Sequence, residues 1–436
     1  MIMQFRVFYL VAIVLSVGGT LYGDDPVPAN PPLRWFKGNL HTHSLWSDGD
    51  DFPEMISEWY RVRDYNFLAM SDHNTLAEGQ KWMKADAIFK RGDAETINKY
   101  QARFGGGWVE QRGDGAELEV RLKPLDEYRA LVEERSKFML FQAEEVTDNA
   151  EGKPVHLNAT NVAEVIKPLG GRTVVEAAAA NVRAVDEQAK KTGREMMIHL
   201  NHPNFGYAFT AEELAEIVTE RFFEVYNGHP GVNHQGDKIH AGVERIWDIA
   251  LTLRIGELRS PALYGIATDD SHEYHGKGGS RPGRGWVMVE SRYLSPEHII
   301  KGIKAGRFYA SSGVTLKQFA FDKETQEFTL EIDGENGVTY ETEFIGTEVA
   351  ADRKAEPVLD KDGKPVRTTR TYSSEIGKTF AKVAGTTATY KLKGNELYVR
   401  ATVTASKPPA DPSFDGQRAQ AWLQPVGWEK HVESER

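Results

Sequence analysis

His41-Thr42-His43 is followed five residues later by Asp48, and the same pairing of imidazole with carboxylate recurs along the chain. It returns at Asp72-His73, Glu144-Glu145, His156, His199-Leu200-Asn201-His202-Pro203 and Asp269-Asp270-Ser271-His272. Imidazole nitrogens and carboxylate oxygens are the ligands of divalent transition ions, and water on such ions becomes a nucleophile near neutral pH. The chain has no cysteine, which excludes disulfides, thiolate metal sites and Cys nucleophiles, so any metal must be held by nitrogen and oxygen. Taken singly the motifs are weak. His73 or His156 alone reads more readily as a hydrogen-bonded core histidine, and Asp270-x-His272 can be a turn closed by an Asx hydrogen bond. Jointly they carry more, because burying so many ionisable groups together without a cation would cost several kcal/mol per group. A metal cluster removes that cost.

Short apolar runs must position these residues: Trp35–His43, Phe67–His73, Phe138–Val146, Val155–Asn161, Met196–His202, Phe222–Asn227 and Leu263–Thr268, with an eighth at Gly285–Val289. Amphipathic helical segments separate them. Thr210 with Glu213 makes a capping box, and Ser295-Pro296 opens a helix that Gly306 can close. Strand–helix repetition over about 250 residues implies a parallel sheet covered by helices, most economically a barrel, with ligands at the carboxyl ends of its strands. In H-x-H both rings share one strand face. The stretch at about 76–123, with Trp82, Trp108 and Gly105-Gly106-Gly107, is an insert that reads as a lid or pocket wall, or as a peripheral helical addition. After Val314 the pattern alternates strictly (Phe319, Phe321; Phe328, Leu330, Ile332; Leu397, Val399, Val403), predicting a small antiparallel β domain over 316–436. Asp362-Gly363 and Gly394-Asn395 are hairpin signals there, and Asp360-Lys361-Asp362-Gly363 lacks the remaining ligands of a calcium loop.

Arg6, an apolar stretch from Val7 to Val17 and then Gly18-Gly19-Thr20 form a signal peptide over residues 1–23, with 24–34 a linker. The apolar run is shorter than a spanning helix needs, so export to the periplasm or medium is expected, with no membrane partner after cleavage. A formal charge of −11 argues against general binding to nucleic acid.

The ordered set H-x-H…D, D-H, E, H, N-H-P, D-x-H resembles the PHP (polymerase and histidinol phosphatase) superfamily over residues 35–315. Glu144-Glu145-Val146-Thr147, His156-Leu157-Asn158-Ala159 and Asn201-His202-Pro203 resemble most its carbaryl-hydrolase-related (CehA/McbA-type) branch. The resemblance implies an α/β fold, a distorted seven-stranded (β/α) TIM-like barrel, here followed by the β domain. It also implies a ligand set. His41, His43, Glu145 and Asp270 would hold one ion, Glu145, His156 and His202 a second, and Asp48, His73 and His272 a third. Glu145 is preferred to Glu144 because Val146 follows it, and His202 to His199 because of its His-Pro context. Two or three divalent ions (Zn, Mn or Fe) are the implied cofactors.

Beyond the ligands, Asp72 is read as orienting a neighbour. His229 is a proton donor, a further ligand or a strand-end turn residue. Lys277, Arg281 and Arg284 form an anion grip or a solvated loop. Asn158-Ala159-Thr160 is a glycosylation sequon on a core strand and so incidental. The implied activity is a secreted metal-dependent phosphoesterase in which a metal-bridged hydroxide attacks a small phosphomonoester or diester. Hydrolysis of a carbon ester, amide or carbamate, and a non-catalytic binding module, are the alternatives.

Overall fold

The computed structural model describes residues 31–432. The expected signal peptide and most of the linker lie outside the described residues. From Leu33 onward the chain is one compact unit.

Thirteen strands build one mixed sheet. In chain order they are β1 (Arg34–Asn39), β2 (Phe67–Met70), β3 (Met139–Ala150), β4 (Lys153–Thr160), β5 (Met197–Leu200), β6 (Phe222–Asn227), β7 (Tyr264–Thr268), β8 (Trp286–Ser291), β9 (Phe308–Ser311), β10 (Tyr340–Glu348), β11 (Lys378–Ala384), β12 (Glu396–Ala405) and β13 (Gln420–Val426). Their order across the sheet is β7-β6-β5-β4-β3-β2-β1-β8-β9-β13-β12-β10-β11. The helices are α1 (Pro53–Arg61), α2 (Ala85–Arg91), α3 (Thr96–Phe104), α4 (Leu125–Val132), α5 (Val174–Thr192), α6 (Ala211–Glu216), α7 (Val243–Gly256) and α8 (Pro296–Lys304). Their starts follow the sequence chemistry. Thr210 and Glu213 form the reciprocal capping box of α6, and Ser295 caps α8 ahead of Pro296.

The hydrogen-bond ladder differs from the expected parallel barrel. β1, β2 and β3 are parallel neighbours, as are β5, β6 and β7, but β4 runs antiparallel to both β3 and β5. The cause is a two-residue hairpin turn, Glu151-Gly152, in which both residues take positive φ (53° and 69°). The sheet also stays open: between the continuations of β1 and β7 there is a single parallel bridge, Thr42 to Ser271. Two backbone bonds flank it, His43 N–H to Ser271 O at 2.9 Å and Asp270 N–H to His41 O at 3.1 Å.

The C-terminal strands are antiparallel, as the alternation predicts. They continue the main sheet through the β9–β13 pairing, and Leu316–Asp322, Glu327–Ile332 and Thr387–Lys391 form a second, three-stranded sheet. Asp362-Gly363 is a tight turn closed by Asp360 N–H to Lys364 O at 2.8 Å. Gly394-Asn395 is not a hairpin, because Thr387–Lys391 and β12 belong to different sheets. The insert folds around its own apolar cluster, Ile88, Ile97, Tyr100, Val120 and Leu122 packed with Leu45, Trp46 and Phe52. A further cluster joins the main sheet to helices such as α5, α7 and α8, which contribute Val182, Trp247 and Ile300 to it.

Candidate metal centre

Strand geometry delivers the ligand set. Neighbouring residues of a strand face opposite ways, so Glu144 and Glu145 separate. Glu144 accepts the Ile166 amide at 2.5 Å, and burial pushes its carboxyl up to about 7. Glu145, 1 % exposed, enters the cluster instead. His41 and His43 follow the end of β1 and bring their Nε2 atoms within 3.1 Å of each other. His202 and Asp270 follow the ends of β5 and β7, both with positive φ (22° and 49°), a sparsely populated conformation that a packed site must hold in place. His156 lies on β4 opposite Thr147, so it reaches the cluster from mid-hairpin rather than from the carboxyl end of a parallel strand.

The nine residues of the expected ligand set form one cluster around the carboxylates of Glu145, Asp270 and Asp48. Glu145 has His41 Nε2 at 3.5 Å, His43 Nε2 at 3.4 Å, His73 Nδ1 at 2.7 Å, His156 Nδ1 at 3.1 Å and His202 Nε2 at 3.5 Å. Asp270 has His41 Nε2 at 3.2 Å, His43 Nε2 at 3.3 Å and His272 Nδ1 at 3.6 Å. Asp48, about half exposed, stands 3.4 Å from both His73 Nε2 and His272 Nε2. Among the described residues, four groups have donor atoms that could share an ion: His41, His43 and Glu145; Glu145, His156 and His202; His43, Asp48, His73 and His272; and, outside the expected ligand set, His41, His199 and Glu224.

The chemistry of this donor set fits metal ions. His41 Nδ1 bonds the Glu224 carboxylate at 2.7 Å, so in the neutral ring Nε2 keeps its lone pair and turns it toward Asp270 and Glu145. Glu145 Oε2 and His202 Nδ1 are buried without a hydrogen bond of normal geometry. Charge tells the same story. Burial pushes the His41 imidazole down, but Asp270, Glu224 and Glu145 outweigh it and hold it well above its ordinary value. Burial raises Glu145, yet His156, His41 and His73 hold it well below the usual carboxylate range. His43, crowded by burial and by His272, falls to about 4.

Glu224 carries no motif that sequence reading could find. It is fully buried on β6 and organises the centre from behind. Oε1 accepts from Thr268 Oγ1 at 2.7 Å as well as from His41, and Oε2 accepts the His202 amide at 2.7 Å and Asn227 Nδ2 at 2.8 Å. His199, pushed down by burial, faces Glu224 at 3.4 Å and not the Glu145 cluster. Asn158 is buried and donates to Leu40 O and Ser71 Oγ, which leaves the sequon inaccessible.

Asp72 does not touch the ligands. It accepts from the Ser44 and Ser47 amides at 2.8 and 3.0 Å and from both hydroxyls, fixing the turn that carries Asp48. His229 lines the pocket over the cluster, a cavity of about 440 Å³ whose walls include Phe205, Pro230, Gly279, Ser280 and Arg91. Its Nδ1 accepts the Gly231 amide at 2.9 Å, so the neutral ring carries its proton on Nε2; burial lowers its pKa.

The expected anion grip is corrected. Arg284 is 3 % exposed, and its guanidinium is consumed by Gly228 O, Gly279 O and Asp411; Arg281 also bonds Asp411, and Lys277 reaches Gly92 O. A guanidinium this buried must satisfy its donors on the protein. The arginine on the pocket wall is Arg91, at the end of α2, an exposed residue whose guanidinium donates through Nη1 to Ser47 O and Gly49 O. Trp82 and Trp108 are absent from the pocket lining; Trp108 Nε1 donates to Glu54 and Tyr100.

The fold and site define a mixed α/β protein with a buried histidine–carboxylate centre. No family model matches the sequence, and no curated protein matches it. Among solved structures, it is similar to a two-domain protein from Bacteroides vulgatus containing a predicted PHP-like metal-dependent phosphoesterase. Identity is 14 %, covering 93 % of this chain and 100 % of that one, with a TM-score of 0.37. It is also similar to a presumed metal-dependent phosphoesterase from Bifidobacterium adolescentis, at 15 % identity over 58 % of this chain and 91 % of that one, with a TM-score of 0.28. Scores this low assign no family.

Proposed function

We propose that the chain is an exported metal-dependent phosphoesterase of PHP type, with residues 35–315 supplying the site and 316–436 an accessory β region. The observation that supports this most is the clustering of nine ionisable side chains around the carboxylates of Glu145, Asp270 and Asp48, with no lysine or arginine among them. His41, His43, Glu145 and Asp270 would hold one ion, Glu145, His156 and His202 a second, and Asp48, His73 and His272 a third. When bound, zinc, manganese or iron would acidify water and neutralise the charge of a phosphoryl group. The chain's own residues do the rest. Glu224 fixes the His41 ring and the His202 backbone, and Asp72 fixes the turn that presents Asp48. Arg91 offers positive charge at the pocket wall to a substrate anion, and His229 holds a proton at Nε2 for a departing oxygen. Phe205 and Pro230 give the same pocket an apolar side for the organic part of a small phosphoester.

The test is elemental analysis of the purified mature chain, with assays of p-nitrophenyl phosphate, its bis-ester and p-nitrophenyl acetate, each with and without chelator. Phosphate turnover that is lost to chelator and to His41→Ala is the expected result. Turnover of acetate alone would replace the phosphoesterase with a carbon-ester hydrolase, and a metal-loaded chain inert to all three would leave a binding module.

A further inference from the structure

The proposed function leaves the C-terminal strands without a task, yet one of their loops reaches the pocket wall. Asp411 lies between β12 and β13, far along the chain from every ligand. Its Oδ1 accepts from Arg281 at 2.5 Å and its Oδ2 from Arg284 Nε at 3.0 Å. Arg284 then spends Nη1 on two carbonyls, Gly228 O at 2.9 Å and Gly279 O. Gly279 lines the pocket together with Ser280, and Gly228 directly precedes the lining residues His229 and Pro230. The two stretches lie close together: a Cβ added at Gly279 would meet Pro230 Cγ at 2.6 Å. Ser280 completes the link to the ligands, since its carbonyl accepts the His272 amide at 2.9 Å and its hydroxyl bonds Asp270 O.

We propose that Asp411 is a positioning residue for the pocket, acting through Arg284 to hold the His229 wall against the Gly279-Ser280 wall. The geometry is a carboxylate–guanidinium–dicarbonyl staple. A guanidinium has a fixed fork of donors, so anchoring its Nε edge on Asp411 sets where Nη1 can point, and both carbonyls follow. The C-terminal strands thereby supply the outer support of a site whose ligands all lie elsewhere. This inference rests on the phosphoesterase reading for its kinetic consequence, but not for its structural one.

The test uses the full chain with Asp411→Ala and Asp411→Glu. Glu335→Gln, which removes an exposed ion pair with Lys407 in the same region, serves as the control. Two measurements are made: kcat and KM for p-nitrophenyl phosphate, and hydrogen exchange at the non-proline amides of residues 228–231 and 279–285. Asp411→Ala is expected to retain its metal and its melting temperature within a few degrees and to speed exchange at both stretches. It should lower kcat by roughly 10-fold with less change in KM, since a small misplacement of a pocket wall costs turnover steeply. Asp411→Glu should recover part of the rate, and Glu335→Gln should match the parent. Unchanged exchange at both stretches in Asp411→Ala overturns the staple whatever the activity. Faster exchange with unchanged kcat overturns the positioning role. If the parent turns over no phosphate ester, the phosphoesterase reading fails, and the exchange measurement still decides the staple.

Discussion

Two of the places where this molecule buries charge resolve it in opposite ways. Around Arg400 the protein answers itself. The guanidinium, 1 % exposed, gives Nε and Nη2 to Asp248 at 2.8 and 2.7 Å and Nη1 to Glu244 and Thr402 at 3.0 and 2.8 Å, and it lies over the Trp247 ring. Tyr398 adds a further bond to Asp248 at 2.9 Å. Around Glu145 and Asp270 the partners are imidazoles, which carry charge only by taking up protons, and two buried polar atoms have no hydrogen bond. A closed network is a structural solution, whereas an open one, in a pocket, marks where something else binds.

The largest expected effect separates the two. Glu145→Gln removes the carboxylate that two ligand groups share, so bound metal should fall to at most the one ion that Asp48, His73 and His272 would hold, and hydrolysis to background, with the melting temperature little changed in apo protein. Elemental analysis beside a turnover assay reads this. Acid should act alike, because protons compete for the same nitrogens and oxygens, and activity is expected to vanish below roughly pH 5–6. Full turnover by metal-loaded protein at pH 4 would end the metal-centre reading.

Arg400→Ala should show the converse. Leaving Asp248 buried without its partner is expected to cost about 3–5 kcal/mol of stability in urea unfolding. Metal content per folded chain should be untouched. Loss of metal in step with stability would mean that the two networks are coupled and the contrast is false.

Glu224→Gln lies between them. The amide keeps volume but sets an N–H₂ against donors that now meet a carboxylate, the His41 ring, the Thr268 hydroxyl or the His202 amide. Metal affinity should drop roughly 10–100-fold, read by competition with a chromophoric chelator. Parent-like affinity would show that Glu224 is packing alone.

This residue also marks the limit of what the chain discloses in one dimension. The ligands are legible because His and carboxylates at the ends of apolar runs have few structural reasons to recur. Glu224 sits inside such a run, Phe222–Asn227, and its role exists only once β6 lies beside β5 and the His41 turn. The β3–β4 hairpin was hidden for a related reason: Glu151-Gly152 lacks the Asn or Asp that usually announces two positive φ values in succession. Arg284 was misread because burial, which decides whether an arginine meets a ligand or a carbonyl, depends on Asp411 about 130 residues away.

Glu220 offers a third arrangement and the smallest effect. It is a buried acid with neither a metal-binding neighbourhood nor a close guanidinium bond. Burial pushes its carboxyl up to about 8, although the Arg221 and Phe222 amides on Oε1, at 2.6 and 2.9 Å, pull the other way. A carboxyl raised in the folded state favours folding fully below its unfolded value, near 4.5, and loses that contribution as pH climbs through about 8. Gln keeps the accepting oxygen and cannot ionise, so Glu220→Gln should match the parent at pH 4 and be the more stable of the two at pH 9. Unfolding curves at the two pH values measure the difference. Parallel pH dependence in parent and variant would show that the amides alone hold Glu220 ionised, and isolated buried acids here would then need no proton, leaving the imidazole cluster as the special case.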